Sequence, residues 1–117
     1  MNEIFPKGFA WIDDNFVNLS EAKISILDWG FLRSDATYDV VHVWKGRFFR
    51  LDNHIDRFFE SAKKLRMPCQ LSRDELKKIL ANCVVKGKLE NAYVEMIQTR
   101  GISPKFVRDP RLATPRV

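Results

Sequence analysis

A chain of 117 residues is long enough for one compact domain with a single core and too short for two. Hydrophobic residues make up 45% and charged residues 30%, with nine Phe and three Trp for core bulk, so the chain reads as soluble and globular, not disordered. The net charge of +5 comes from cations scattered between apolar helix positions, with no recognition-helix, zinc-finger or RNA-binding pattern; this excludes nucleic acid as the expected partner.

No apolar run approaches the roughly 20 residues of a membrane span, so no membrane partner is expected. Met1-Asn2-Glu3-Ile4 lacks the basic start and apolar stretch of a secretory signal. Cys69 and Cys83 form no C-x-x-C and are joined by only two His, too little for a zinc site. They read as reduced thiols in a cytoplasmic protein.

In chain order, Gly8 to Ile12 and Phe16 to Leu19 are short apolar runs separated by Asp13-Asp14-Asn15, which predicts a hairpin. Lys23 to Asp28 is another short apolar run, and Gly30 to Thr37 reads as irregular. Tyr38 to Trp44 is β-branched and aromatic, Lys45-Gly46 is a turn, and Arg47 to Leu51 continues as a second strand. Asp52 or Asn53 is expected to cap a helix whose apolar positions Ile55, Phe58, Phe59, Ala62 and Leu65 keep helical spacing, ending at Met67-Pro68.

Ser72-Arg73-Asp74-Glu75 is a capping box opening a second helix, with Leu76, Ile79, Leu80, Cys83 and Val84 on its apolar face and Gly87 as the expected residue just past its end. Ala92 to Thr99 reads as a strand. Residues 101–117 carry three prolines and read as a loop. Strands, two helices and a strand make an α+β domain spanning 1–117. Its abrupt close at Ala113-Thr114-Pro115-Arg116-Val117 is expected of a truncated product.

Two groups could carry chemistry. His54, Arg57 and Ser61 lie on one side of the first helix, beside its apolar stripe. An Arg on a rigid element can bind phosphate or carboxylate through a forked pair of hydrogen bonds; the alternative is a solvated head on a stem that covers apolar surface. Tyr38, Val40 and His42 alternate on one strand face, where a Tyr hydroxyl could orient an acidic substrate or simply stand half-buried. No metal-ligand pattern, Ser-His-Asp arrangement or glycine-rich phosphate loop is present.

The run Ile24-Ser25-Ile26-Leu27-Asp28-Trp29-Gly30-Phe31-Leu32-Arg33-Ser34-Asp35-Ala36-Thr37-Tyr38-Asp39-Val40 resembles the opening of fold type IV, pyridoxal-phosphate-dependent aminotransferases. The segment Phe49-Arg50-Leu51-Asp52-Asn53-His54-Ile55-Asp56-Arg57 matches that family's F-R-L-x-x-H-x-x-R, and Thr99-Arg100-Gly101 its T-R-G. Together they cover about residues 8 to 108. The resemblance is nearest to R-selective amine transaminases, then to D-amino acid and branched-chain aminotransferases.

It implies the small N-terminal domain of that fold, an antiparallel sheet with two helices. It implies pyridoxal 5'-phosphate as cofactor, an amine or amino acid and a keto acid as substrates, and a homodimer. Residue by residue, it implies that Arg57 holds the cofactor phosphate, that His54 orients or packs, that Tyr38 faces the substrate, that Val40 limits one pocket and that Arg33 lines the larger one. On the loop after Thr99-Arg100-Gly101, D-amino acid enzymes present an Arg and then a His; the matching positions are Lys105 and Val107. Amine-selective relatives carry an Arg one place later, where Phe106 stands, and Arg108 is a further cation for a substrate carboxylate.

The same resemblance implies that the lysine bonding to the cofactor belongs to a larger domain, absent from this chain. None of the ten lysines matches its motif, and Lys63, Lys64 and Lys77 fall on polar helix faces. No catalytic residue is therefore expected here, and the 117 residues alone should be inactive and prone to associate. Two alternatives accompany this reading: an aminodeoxychorismate lyase-like enzyme of the same fold, and a non-catalytic interaction domain.

Overall fold

β3 (Ala36–Trp44) and β5 (Ala92–Thr99) run antiparallel in full register from Ala36 opposite Thr99 to Val43 opposite Ala92, and this ladder is the spine of the molecule. The computed structural model describes residues 4–117, so the reading of Met1 to Glu3 lies outside the described residues. β4 (Arg47–Phe48) borders β3 on its other edge, giving the order β4-β3-β5. A separate hairpin pairs β1 (Phe9–Ile12) with β2 (Asn15–Asn18). Both hairpin turns fall on residue pairs with positive φ, Asp13-Asp14 and Lys45-Gly46. That is the two-residue turn whose twist matches paired strands.

α2 (Leu51–Lys64) and α3 (Arg73–Gly87) cover one face of the ladder. Val41 and Met96 from the strands meet Ile55 and Phe58 of α2 and Leu76 and Leu80 of α3, all buried, with Phe48, Leu51, Phe59 and Val94 around them. Burying such side chains stabilises by about 1.5–3 kcal/mol each. The capping box at Ser72 and Glu75 is formed reciprocally.

Four expectations about where elements begin and end are corrected, and two stretches read as irregular prove ordered. The strand expected over Arg47 to Leu51 stops at Phe48, and Leu51 already belongs to α2 because its side chain packs on the core. The cap of α2 is Arg50, in the left-handed region at φ 53, and not Asp52 or Asn53. Leu65 lies past the end of α2 and is exposed. Gly87 is the last residue of α3 and Lys88 makes the left-handed exit; a Cβ at 87 would meet the Gly8 backbone and Leu89 at an ordinary contact distance of 3.4 Å, so packing there does not demand a glycine.

The stretch read as irregular contains a one-turn helix, α1 (Trp29–Leu32), capped by Asp28, whose carboxylate accepts the Gly30 N–H at 2.7 Å. The tail is also more ordered than a loop. It makes 3-10 turns at Pro104–Phe106 and Pro110–Leu112 and returns to pair Arg116 with Thr99. Among the described residues no helix is long and apolar enough to cross a membrane.

Candidate functional site

The period of two in β3 divides its side chains between two environments. Asp39, Val41 and Val43 point to the helices and are buried; Tyr38, His42 and Trp44 point away and are exposed, with Val40 half-buried among them. The register places Ile97 opposite Tyr38, Glu95 opposite Val40 and Tyr93 opposite His42. The His42 and Tyr93 rings stack at 5.0 Å. With Tyr38 63% and Tyr93 78% exposed, this face is broad, part aromatic and uncovered by anything in the described chain.

Arg57 reaches the same strand from the other side. Asp39 stands between Tyr38 and Val40 and is 5% exposed. Its Oδ2 accepts the Arg57 Nε–H at 2.7 Å and its Oδ1 accepts Nη2–H at 3.0 Å. Oδ1 lies also 2.6 Å from His54 Nδ1 and 3.1 Å from the Val40 N–H. A carboxylate can only accept, so His54 carries its proton on Nδ1.

The Arg57 hydrogen bonds, with help from His54, hold the Asp39 carboxyl below the usual carboxylate range against the opposing pull of burial. Asp39 in turn raises the pKa of Arg57. A buried Asp requires such partners. The structure thus sets His54, for which the resemblance implies an orienting or packing role, against Asp39.

At the Ala36–Thr99 end of the ladder two loops meet. The Trp29 N–H donates to the Gly101 carbonyl at 3.0 Å, and Thr99 Oγ1 donates to the buried Asp28 carboxylate at 3.0 Å. Arg100 forks onto Asp35 at 2.8 and 3.1 Å and spends its remaining reach on the Leu65 and Arg66 carbonyls past the end of α2. The motif arginine is therefore a strut tying β5, the α1 loop and α2 together, not a free anion site.

Arg33, at the end of α1, lies over the Trp29 ring at 5.2 Å and is exposed. Lys105 and Arg108 are exposed on the loop that leaves β5, with Lys105 at φ 51. The structure thus gathers Tyr38, Val40 and the anchor of Arg57 on one stretch of β3. It places Arg33, Lys105 and Arg108 on the loops that flank its end, without direct contacts among them.

Residue-by-residue matching passed over Asp39, Glu95 and Ile97. Strict alternation along Ala92 to Thr99 was a signal for the last two, and an acid at a core-facing strand position was the signal for Asp39. Two shallow clefts of about 230 and 240 Å³ lie elsewhere: one around Gly8, Leu19 and Lys86, the other around Trp11, Gln70 and Arg116. The candidate site is an open sheet face. Of the described lysines only Lys77 is partly shielded, and it pairs with Asp52; none is buried. No cluster of metal-ligating side chains occurs among the described residues.

A family model described as amino-transferase class IV matches residues 36–115. The D-alanine aminotransferase of Listeria monocytogenes serotype 1/2a is 31% identical over 91 residues, which cover 78% of this chain and 32% of that protein. The branched-chain-amino-acid aminotransferase-like protein 1 of Arabidopsis thaliana is 31% identical over 96 residues, covering 81% of this chain and 17% of that protein. Among solved structures, a T.th. branched-chain amino acid aminotransferase complexed with N-(5'-phosphopyridoxyl)-L-glutamate superposes with a TM-score of 0.84 at 23% identity, over 96% of this chain and 39% of that one. The chain spans about a third or less of the length of the two relatives matched by sequence.

Proposed function

This chain belongs to the class IV aminotransferase family, and from that premise we propose that it forms the small-domain side of a pyridoxal-phosphate-dependent transaminase site. The reaction is transfer of an amino group between an amine or amino acid and a keto acid. The observation that carries the proposal is Arg57: a guanidinium on a rigid helix, gripped along one edge by a buried carboxylate, with three of its five N–H groups left over. A forked donor of that kind fits a phosphate dianion. When bound, the cofactor supplies the electron sink for moving a proton at the substrate carbon.

The residues of this chain bind and orient. Arg57 holds the phosphate. Tyr38 and Val40, on the exposed face of the same strand, bound the substrate pocket, and Arg33 lines its edge. Lys105 and Arg108 offer a cation to a substrate carboxylate from the loop beyond β5. The lysine that bonds to the cofactor lies in a larger second domain of the whole enzyme; that domain covers the Tyr38–Tyr93 face and excludes water from it. The whole enzyme is a homodimer working in the cytoplasm.

The test is titration of pyridoxal phosphate into the full-length apo-enzyme, followed by absorbance, in parent and Arg57→Ala forms. Loss of the charge-assisted bonds should weaken cofactor affinity about 10- to 100-fold. Equal affinity in the two forms refutes the assignment of Arg57. Absence of amine-to-pyruvate transfer in a folded, cofactor-loaded full-length enzyme refutes the activity.

A further inference from the structure

Arg57 is a long side chain, 69% exposed, on the outer flank of α2. Such a side chain ordinarily samples many rotamers, and freezing it on binding an anion weakens affinity about 2- to 10-fold. Here it is already frozen. Asp39 grips Nε and Nη2 at 2.7 and 3.0 Å, and Asp39 is itself buried on β3 and further bound by the Val40 N–H and His54. Nη1 and one N–H of Nη2 have no protein partner among the described residues.

We propose that Asp39 is a positioning residue: its buried carboxylate holds the inner edge of Arg57 so that the outer edge stands ready for a phosphate dianion. This rests on the reading of Arg57 given above and deepens it. Asp39 exerts two opposed effects on the anion. Its negative charge repels a dianion, but that repulsion acts across the guanidinium toward the solvated outer edge, where counterions screen it. Its grip removes the ordering cost at the protected inner edge, and this is the effect that wins.

The two effects predict opposite signs for Asp39→Asn. That variant keeps the shape, removes the charge and leaves one acceptor oxygen where two were needed. Repulsion alone predicts tighter anion binding; positioning predicts weaker binding. The experiment is a titration of the full-length apo-enzyme with inorganic phosphate, reading the Arg57 side-chain N–H resonances by heteronuclear NMR.

In the parent enzyme, saturating phosphate should shift the Arg57 signals while the Nε–H stays protected from exchange, because Asp39 keeps its hold. In Asp39→Asn the Nε–H should lose protection and phosphate affinity should fall about 2- to 10-fold. Affinity equal or tighter in Asp39→Asn overturns the inference, and so does loss of Nε–H protection in the parent at saturation, which would make Asp39 a competitor for Arg57. The second readout needs no variant and decides the matter even if Asp39→Asn fails to fold. Arg57 signals unmoved by phosphate in the folded parent would overturn the phosphate reading itself, and the inference with it.

Discussion

Replacing Gly101 by Ala should cost about 2–4 kcal/mol of folding stability, and the sum can be traced to particular atoms. Gly101 has φ +83, and a Cβ built on its backbone would stand 1.9 Å from the Thr114 carbonyl oxygen. No side-chain rotation relieves a clash with backbone, so the returning tail must move away. Moving it breaks the bridge in which the Thr99 N–H donates to the Arg116 carbonyl at 2.9 Å and the Arg116 N–H to the Thr99 carbonyl at 3.1 Å. Two hydrogen bonds at about 0.5–1.5 kcal/mol each, plus about 1 kcal/mol for alanine in the left-handed region, give the stated range.

For a domain of this size that is a drop of roughly 8–16 °C in Tm. Gly46 is the control: its φ is +78, yet a Cβ there meets nothing within 4 Å, so Gly46→Ala should cost only the backbone share, about 1 kcal/mol. Thermal unfolding of the two variants separates strain from clash. A Gly101→Ala protein that melts within about 2 °C of Gly46→Ala would show that the tail does not pack as described.

Two further outcomes follow from the site. If Lys105 or Arg108 pairs with a substrate carboxylate, its replacement by Ala in the full-length enzyme should raise the KM for D-amino acids far more than for 1-phenylethylamine; equal losses would mean that the loop acts by shape. The second concerns pH. Arg57 and His54 depress the Asp39 pKa, so the stability this acid contributes is complete above its unfolded value near 3.8 and disappears as pH falls through the lower folded value. The stability gap between parent and Asp39→Asn should therefore be flat from neutral pH down to about 4 and close below it, and a gap that closes between pH 5 and 7 would assign the effect to another group.

Local rules made much of this molecule legible. The capping box at Ser72, the two turns with positive φ, and the helical spacing of Ile55 and Phe58 each depend on a few neighbouring residues. So does the alternation that turns Tyr38, Val40 and His42 to one face. Elements whose cause lies far along the chain were hidden. α1 is one turn long, too short to show a period, and is held by the buried Asp28 and Thr99 seventy-one residues later. Arg50 caps α2 in a conformation that its residue type does not advertise. The tail reads as a loop by its prolines, and its return depends on the left-handed turn at Gly101.

The site divides in the same way. Arg57 and Tyr38 are candidates that the motifs single out, whereas Asp39 looks like an interruption in an apolar strand. Its meaning emerges only when His54 and Arg57, fifteen and eighteen residues on, fold back over it. Arg100 shows the converse: its place in a motif invites a binding role, but four of its five N–H donors are taken by Asp35 and by the backbone carbonyls of Leu65 and Arg66.

The central claim is a division of labour, with the phosphate anchor on this chain and the cofactor-bonding lysine outside it. Its most direct test is to mix purified residues 1–117 with pyridoxal phosphate near neutral pH, reduce with borohydride, and map any modified lysine by mass spectrometry while assaying an amine with pyruvate. The account predicts sparse labelling spread over exposed lysines such as Lys63, Lys64 and Lys86, and no turnover. Stoichiometric labelling of one lysine together with amine transfer would contradict it.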